Sequence, residues 1–226
     1  GERGRMDHLT TEEPVPMRVR KLVSVSRQDL KPFILGIHYA QRFPSVSYAY
    51  GLEVDGVLEG VITYGTPPSA TLRKGVAGPD MESHVLELNR LCLKSNNRND
   101  ASWLVAASIR ALRGDWIIVS FADTAQGHNG TIYQAANFLY TGLSAKRTDW
   151  KVRGKEHLHG QTVADEFRGQ ANRAALMREK YGADFYLQPR SRKHRYIQVI
   201  GGRAFKRAAL AALRYKLSDY PKEANK

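Results

Sequence analysis

The sequence predicts an α/β fold of the α+β type, in which helices flank a mixed, mostly antiparallel sheet. Asp55 and Gly56 separate two runs of strand character, residues 47–54 and 57–64, and an Asp-Gly pair in this setting is typical of a tight antiparallel hairpin. Strand-like runs then alternate with helical patterns along the rest of the chain. This alternation indicates one layer of sheet covered by helices.

The first half of the chain is predicted to alternate short strands and helices. Strands are predicted at residues 21–25 and 85–93, and helices at residues 29–40 and 101–113. Between the hairpin and the next strand, residues 66–80 contain three prolines and two glycines. Because proline and glycine interrupt regular structure, this segment is expected to form a loop.

The stretch from Trp116 to Gly142 is the most informative part of the sequence. It begins with an apolar run, residues 116–121, that has the length and composition of a buried strand. A polar loop follows over residues 123–130, and apolar residues three and four apart then continue to Leu143. The sequence therefore predicts a strand, a loop and a helix in this order.

This strand–loop–helix unit supplies candidate site residues, because ligands of open α/β sheets bind at the carboxyl ends of strands. Asp123 lies at such a strand end. Tyr133 and Asn137 are four residues apart and share a face of the predicted helix, and Tyr140 continues that face. A purely structural interpretation stays open, in which Asn129 caps the helix and the tyrosines fill the core.

The last third of the chain is polar and basic. Strands are predicted at residues 148–153 and 196–200, and helices at residues 170–180 and 202–217. Residues 146–226 hold 20 Lys/Arg and 8 Asp/Glu, whereas residues 1–145 hold 15 and 14. The formal net charge of +13 therefore lies almost entirely in the last third, which indicates a polyanionic partner such as nucleic acid.

Length and composition suggest how the chain is organised. We expect an N-terminal arm or tag remnant at residues 1–20, a core at residues 21–153, and a basic C-terminal extension at residues 154–226 that completes the fold and contacts DNA. No apolar run reaches the roughly 18 residues of a membrane span, so no membrane partner is expected. The single cysteine, Cys92, excludes an internal disulfide, and the cytoplasm is the expected compartment. Formation of a homodimer is left open.

The order of elements resembles the fold of the Gcn5-related N-acyltransferases (GNAT). In that fold the fourth and fifth strands part, and the cleft between them holds a donor on one side and an acceptor on the other. The resemblance places this splay between the strands at residues 85–93 and 116–121. It implies an acyl-CoA donor, bound by a Gly-rich loop whose backbone N–H groups contact the pyrophosphate.

The loop after residue 93 departs from that pattern because it contains no glycine. Phosphate would have to be bound by side chains instead, and the carrier of the donor stays unidentified. The candidate cofactor-binding residues are Lys94, Ser95, Arg98, Ser102 and Asn137.

Three segments together resemble the Mom proteins of Mu-like phages. They are L-N-R-L-C-L at residues 88–93, F-A-D-T-A-Q-G-H-N-G-T-I-Y-Q-A-A-N-F-L-Y-T-G at residues 121–142, and R-K-H-R-Y-I at residues 192–197. The resemblance covers residues 20–200. It implies a GNAT-like enzyme that transfers a carbamoylmethyl group to the exocyclic N6 amine of adenine in double-stranded DNA, and so protects phage DNA from host restriction.

The resemblance also implies catalytic roles for residues that match the family's motifs. These residues are the pair His38 and Tyr39, Arg90 in the fourth strand, Asp123 after the fifth strand, and Tyr133 ten residues later. The N6 amine is a weak nucleophile, so its attack needs proton removal, a well-placed electrophile, or both. Asp123 is the first candidate base and His38 the second. Arg90 would hold a carboxylate, amide or phosphate of the donor.

Two further groups of residues are candidates for binding. His38, Tyr39 and Asp123 carry nitrogen and oxygen ligands that iron accepts, although no H-x-D or paired-histidine spacing accompanies them. Contacts to DNA phosphates are assigned to the basic last third of the chain. The candidates there are Arg190, Arg192, Lys193, His194, Arg195, Arg203, Lys206 and Arg207.

Two other functions stay open on the sequence alone. One is an acyl-CoA-dependent N-acyltransferase that acts on a protein or a small amine. The other is a DNA-binding protein that keeps a GNAT-like core without catalysis. The glycine-free loop and the basic last third both argue against the first of these.

Overall fold

A computed structural model describes residues 18–36 and 43–222. The strands are β1 (Arg20–Ser24), β2 (Tyr48–Val54), β3 (Val57–Gly65), β4 (Val85–Leu93), β5 (Trp116–Asp123), β6 (Leu139–Leu143), β7 (Thr148–Val152), β8 (Phe185–Pro189) and β9 (Lys193–Ile200). The α-helices are α1 (Arg27–Ile34), α2 (Ala70–Ala77), α3 (Arg98–Ala111), α4 (Thr131–Ala135), α5 (Gly160–Ala164), α6 (Arg173–Tyr181) and α7 (Arg203–Ala212). Short 3₁₀ helices cover Pro79–His84, Thr124–Gln126 and Gly182–Asp184.

The main sheet has seven strands in the order β1-β2-β3-β4-β5-β9-β6. The predicted hairpin between β2 and β3 is confirmed, and Asp55 and Gly56 at its tip have φ angles of 49° and 80°. Positive φ at both central residues gives the turn a twist that matches the flanking strands, which is why Asp-Gly suits this position.

The fourth and fifth strands of the sheet part, as the resemblance to the GNAT fold implies. β4 and β5 form the parallel pair of the sheet, and their pairing stops after three residue pairs, at Glu87 and Val119. β4 then continues to Leu93 along β3, and β5 continues to Asp123 along β9. The predicted α/β class, with a mostly antiparallel sheet splayed between its fourth and fifth strands, is therefore confirmed.

Helices cover both faces of this sheet. α3 packs on one face, where Leu104 and Val105 join a core that includes Leu86 and Ile118. α2 and α7 cover part of the other face, where Ala209 packs with buried strand residues. α1 covers the adjoining part of that second face through Leu30 and Ile34. The two strands therefore part within a sheet whose two faces are both packed against helices.

The expectation of a loop over residues 66–80 is wrong, because α2 lies within it. Pro67 and Pro68 precede the helix and Pro79 follows it. The Ser69 hydroxyl accepts a hydrogen bond from the backbone N–H of Leu72 at 3.2 Å. Gly78 ends the helix with φ of 88°, a left-handed value that glycine adopts without strain. Apart from Gly75, which lies inside α2, the prolines and glycines of this segment therefore flank a helix.

The helix predicted from residue 132 to Leu143 is also wrong, because α4 has only five residues. Asn137 turns the chain with a φ of 62°, and β6 then pairs with β9 in the main sheet. Phe138 and Tyr140 are buried there, so packing against a strand far along the chain overrides the local helical spacing. Tyr140 consequently does not share a helix face with Tyr133.

Other helix boundaries differ for local reasons. α1 begins at Arg27 because Ser26 and Asp29 form a capping box, and the predicted continuation to residue 40 runs into residues 37–42, outside the described part. α3 begins at Arg98 because the Asn97 side chain caps it. α7 ends at Ala212, short of the predicted residue 217.

A small module, residues 148–189, is inserted between β6 and β9. It contains the two-stranded sheet of β7 and β8, the helices α5 and α6, and its own core around Val152, Val163, Met177 and Phe185. The chain then returns to the main sheet as β9, between β5 and β6. The division at residue 153 stays a prediction. None of the helices described here has the length and apolar character needed to cross a membrane.

Candidate active site

A cavity of about 1170 Å³ opens where β4 and β5 part. Its walls come from α1, from β4 and the loop after it, and from the end of β5 with the loop that leads to α4. The predicted site residues that line it are Arg90, Lys94, Ser95, Arg98, Asp123 and Tyr133. Residues that are 30 or more positions apart in the chain thus meet in one place.

Two further predicted site residues, Ser102 and Asn137, do not line this cavity. The Ser102 hydroxyl donates to the carbonyl of Arg98 at 3.0 Å. Asn137 is exposed in the turn after α4, where its carbonyl accepts a hydrogen bond from the Gln198 side chain. His38 and Tyr39 lie outside the described residues, so their roles stay predictions.

Asp123 is a half-buried carboxylate at the end of β5. It accepts a hydrogen bond from the backbone N–H of Ala125 at 2.9 Å, which starts the 3₁₀ turn after the strand. This bond, the Ser191 hydroxyl and the nearby charges of Lys193 and His128 together lower the pKa of Asp123. The side chain is therefore ionised at neutral pH.

Tyr133 forms the buried back of the cavity. Its ring packs against Phe138 and Tyr196, with centroids 5.5 Å away in both cases. Burial raises the pKa of Tyr133, and its interaction with the Ser120 hydroxyl offsets only part of that rise. The phenol is therefore protonated at neutral pH, which makes it a hydrogen-bond donor in a fixed position.

The loop between Asp123 and Tyr133 is held by Tyr196 of β9. The Tyr196 hydroxyl donates to the carbonyl of Asn129, and it accepts a hydrogen bond from the Gln134 side chain at 2.9 Å. Gly130 has a φ of 86°, and a Cβ there would stand 2.2 Å from the Tyr196 ring. Only glycine fits at this close approach, so any larger residue at position 130 would push the loop away from β9.

Two residues of the cavity wall are not among the predicted site residues. His128 lines the cavity beside Asp123, and its position in the polar loop was the only signal. Asn89 accepts from the Thr63 hydroxyl at 2.6 Å and donates to the carbonyl of Ser45 at 2.8 Å, which fixes β4 beside Arg90. Its sequence neighbourhood carries no sign of this bridge.

The start of α3 does not form a backbone cradle for a pyrophosphate. The Asn97 side chain already accepts from the backbone N–H groups of Asn99 and Asp100, at 3.0 and 3.3 Å. The loop contains no glycine that would allow a closer approach. Lys94 and Arg98 are the cations that remain for an anionic donor at this end of the cavity.

The sequence matches the model of the Mom protein family over residues 20–222. The chain belongs to the Mom family. A curated relative, the "Methylcarbamoylase mom" of Escherichia phage Mu, is 30% identical over 192 residues, which are 82% of this chain and 76% of the relative.

Solved structures that align with this Mom-family chain include GNAT acetyltransferases at low identity. A Bacillus subtilis acetyltransferase in complex with CoA shows 13% identity over 81% of this chain and 99% of that chain, with a TM-score of 0.44. A GNAT-family acetyltransferase from Bacillus cereus ATCC 10987 shows 10% identity over 81% and 99%, with a TM-score of 0.42.

The basic candidates of this Mom-family chain differ in how their side chains are engaged. Arg195 stacks on the Tyr215 ring, with its guanidinium carbon 3.5 Å from the centroid, and its Nε donates to the Thr141 hydroxyl at 2.9 Å. His194 shares a hydrogen bond of 2.7 Å with the Tyr140 hydroxyl, and burial lowers the pKa of His194. Both side chains therefore have partners within the chain.

The remaining candidates lie nearer to solvent. Arg190 pairs with Asp149 at 2.6 Å, and the Nε of Arg192 donates to the carbonyl of Ser144 at 2.8 Å. Lys193, Arg203, Lys206 and Arg207 are exposed. As for metal ions, residues 18–36 and 43–222 contain no group of three His, Cys, Asp or Glu side chains that could hold one.

Proposed function

We propose that this Mom-family protein transfers a carbamoylmethyl group to the N6 amine of adenine in double-stranded DNA. The observation that carries the proposal is the cavity at the splay, which is lined by Arg90 of β4, by Asp123 at the end of β5 and by Tyr133 of α4. The name of the phage Mu relative, a methylcarbamoylase, supports the same chemistry. The reaction would take place in the cytoplasm of the host cell and would protect phage DNA from restriction.

The size of the cavity suits two reactants. Pockets for small ligands measure roughly 300–1,000 Å³, and this cavity measures about 1170 Å³. The N6 amine projects into the major groove but is base-paired with thymine, and enzymes that do chemistry on a base extrude it from the stack into a pocket. The extruded base would enter beside Tyr133 and Asp123, while the donor would occupy the end with Arg90, Lys94 and Arg98.

Each wall of the cavity then has a distinct task. Tyr133 donates a hydrogen bond from a fixed position and so orients the base. Arg90, half-buried on β4 and braced by Asn89, holds the amide or carboxylate of the transferred group. Asp123 faces the attacking amine at the mouth of the buried region. Coenzyme A enters no step, since the start of α3 lacks the backbone cradle for its pyrophosphate.

Asp123 serves as the proton acceptor. A bond forms between N6 and the carbon of the incoming group, and the leaving group departs with the bonding electron pair. N6 becomes positively charged as this bond forms, so its proton becomes strongly acidic. A carboxylate whose pKa is lowered still accepts such a proton, and its negative charge stabilises the developing positive charge.

Nucleoside analysis of DNA from cells that express the protein tests the function. Digestion and mass spectrometry are expected to show a modified deoxyadenosine that is absent from cells without the gene. Unmodified DNA together with binding of coenzyme A would favour an acyl-CoA-dependent N-acyltransferase instead. Unmodified DNA together with tight binding to DNA would favour a non-catalytic DNA-binding protein.

The pH dependence of the reaction distinguishes the two candidate bases. Because the pKa of Asp123 lies below its ordinary value of 3.8, the modification rate at saturating DNA is expected to stay level from about pH 8 down to about pH 5. If the base were a histidine such as His38, the reference histidine pKa of about 6.5 predicts a tenfold fall per pH unit below that value. The rate is measured with cell extract as donor source, and a fall of this kind would exclude Asp123 as the base.

A further inference from the structure

A second cavity, of about 730 Å³, lies where the small module joins the main sheet. It is lined by Lys146, Arg147, Thr148, Pro189, Arg190 and Arg192. Four of these six residues are cations. We call this cavity the neck notch, because the two chain segments that connect the module to the sheet form its walls.

Hydrogen bonds between the two segments preform the notch. The backbone N–H of Ser144 donates to the carbonyl of Lys193 at 2.7 Å, and the N–H of Arg190 donates to the carbonyl of Arg147 at 2.8 Å. The Nε of Arg192 donates to the carbonyl of Ser144 at 2.8 Å. The segments therefore continue the antiparallel ladder from the main sheet to β7 and β8, and the cations stand on a rigid support.

The positive charge of this part of the chain is concentrated outside the module. Residues 148–189 carry 7 Lys/Arg and 6 Asp/Glu, so the module itself is nearly neutral. Residues 190–222 carry 10 Lys/Arg and 1 Asp/Glu, and Lys146 and Arg147 add two more cations at the notch. Like charges gathered around one cavity cost free energy unless an anion offsets them. Asp149 offsets Arg190, which leaves the notch with a surplus of positive charge.

The neck notch lies beside the active-site cavity. The backbone N–H and the hydroxyl of Thr124 donate to the carbonyl of Arg192 at 3.1 and 2.6 Å. In the antiparallel pairing of β9 with β5, the backbone of Lys193 lies directly opposite that of Asp123. An anion held at the notch would therefore lie next to the wall that carries Asp123.

We propose that the neck notch binds a backbone phosphate of the DNA strand that carries the target adenine. The inference rests on the proposed function and names the group that holds the strand while its base enters the cavity. Lys146 and Arg147 are exposed at the notch and supply the charge, and the arginine's planar fork matches two phosphate oxygens. A phosphate contact of this kind positions the strand without reading its sequence.

The salt dependence of DNA binding tests the notch. The double variant Lys146→Ala/Arg147→Ala is expected to bind duplexes of any sequence more weakly. Its slope of log K against log salt is expected to be shallower by about 1, since one phosphate contact is lost. The double variant Arg153→Ala/Arg168→Ala removes the same charge from exposed positions on the module and is expected to keep the wild-type slope. Thermal unfolding checks that both variants are folded.

A second experiment locates the phosphate. In each test duplex, one phosphodiester near the target adenine is replaced by an uncharged methylphosphonate. The affinity for each duplex is measured with the wild type and with the notch variant. One linkage is expected to weaken wild-type binding and to have no effect on the notch variant. The proposal would be overturned if every substituted linkage lowered the DNA affinity of both proteins equally, or if the folded variant kept the wild-type salt slope.

The notch and the proposed function fail in different ways. If the wild type modifies adenine while the notch variant keeps its salt slope, the notch is wrong and the function stands. If the wild type leaves DNA unmodified while a single linkage still distinguishes the two proteins, the notch is correct and the function is wrong. Nucleoside analysis of the same wild-type preparation separates these results.

Discussion

Replacing Asp123 with asparagine is expected to lower the rate of adenine modification by about 10²–10⁴-fold, the usual contribution of a positioned base. Asparagine keeps the oxygen that accepts the Ala125 N–H, so the turn after β5 is retained. It removes the negative charge and the site that accepts the N6 proton. The rate of formation of modified deoxyadenosine measures the loss, and thermal unfolding checks that the fold is intact.

A charge control and a binding measurement make this result specific. Glu179→Gln removes one negative charge at an exposed position on α6 and is expected to leave the rate unchanged. DNA affinity of the Asp123→Asn variant is expected to equal or slightly exceed that of the wild type, because a negative charge near the phosphates is gone. A folded Asp123→Asn variant that retains more than a third of the wild-type rate would show that Asp123 is not the proton acceptor.

The parts of the fold that follow from local chemistry were predictable from the sequence. The Asp55-Gly56 turn needs two positive φ angles, and Asp-Gly is a residue pair that adopts them readily. The helix at Ala70–Ala77 was missed although Ser69 and Gly78 mark its ends, because three prolines and two glycines in residues 66–80 outweighed the capping signal. Proline, glycine and capping residues indicate where elements begin and end. Whether a helix or a loop lies between them needs separate evidence.

Structure that depends on distant partners was not predictable in the same way. The helical spacing from Ile132 to Leu143 is real, yet Leu139–Leu143 pairs with β9, which follows about 50 residues later in the chain. A sheet can accept this segment because Phe138 and Tyr140 complete its core. When the apolar spacing of a short segment fits a helix and a strand about equally well, pairing with a distant strand decides which of the two forms.

The candidate site likewise combines residues from one local stretch with a residue that only the fold brings near them. Asp123 and Tyr133 come from a single stretch and were predictable as neighbours of one strand end. Their meeting with Arg90 depends on the splay of β4 and β5, so it followed from the resemblance to a fold and not from spacing. Net charge indicated the basic part of the chain, but it could not show that Arg195 stacks on Tyr215 while Lys146 lines the neck notch.

The Asp100→Asn variant is expected to lose about 2–4 kcal/mol of stability at pH 7, with a fall in Tm of roughly 4–16 °C. The Asp100 side chain is 1% exposed at the start of α3, and its Oδ1 accepts from Arg18 at 2.7 Å and from Arg20 at 2.9 Å. Breaking a buried ion pair costs about 3–5 kcal/mol. The two arginines are partly exposed, at 42% and 31%, so solvent screening reduces the loss.

The second carboxylate oxygen makes asparagine a poor substitute. Oδ2 of Asp100 is buried and has no hydrogen-bond partner among the described residues. An amide that keeps its oxygen toward the arginines would place its NH₂ in the Oδ2 position as a buried donor without an acceptor. The reverse orientation would set the NH₂ against the two guanidinium groups. Asp80→Asn, at an exposed position, is the matched control and is expected to change stability by no more than about 0.5 kcal/mol.

The pH dependence of the loss identifies its electrostatic origin. Burial acts to raise the pKa of Asp100, but the hydrogen bonds and charges of Arg18 and Arg20 outweigh burial and lower it. A lowered folded-state pKa contributes stability above the unfolded pKa of about 3.9, and this stability is lost as the pH falls through the folded value. Urea unfolding of wild type and Asp100→Asn should therefore differ most at pH 7, and the gap should narrow below about pH 4. A gap that stayed constant down to pH 3 would mean that the loss comes from the buried NH₂ group, with no contribution from the ion pairs.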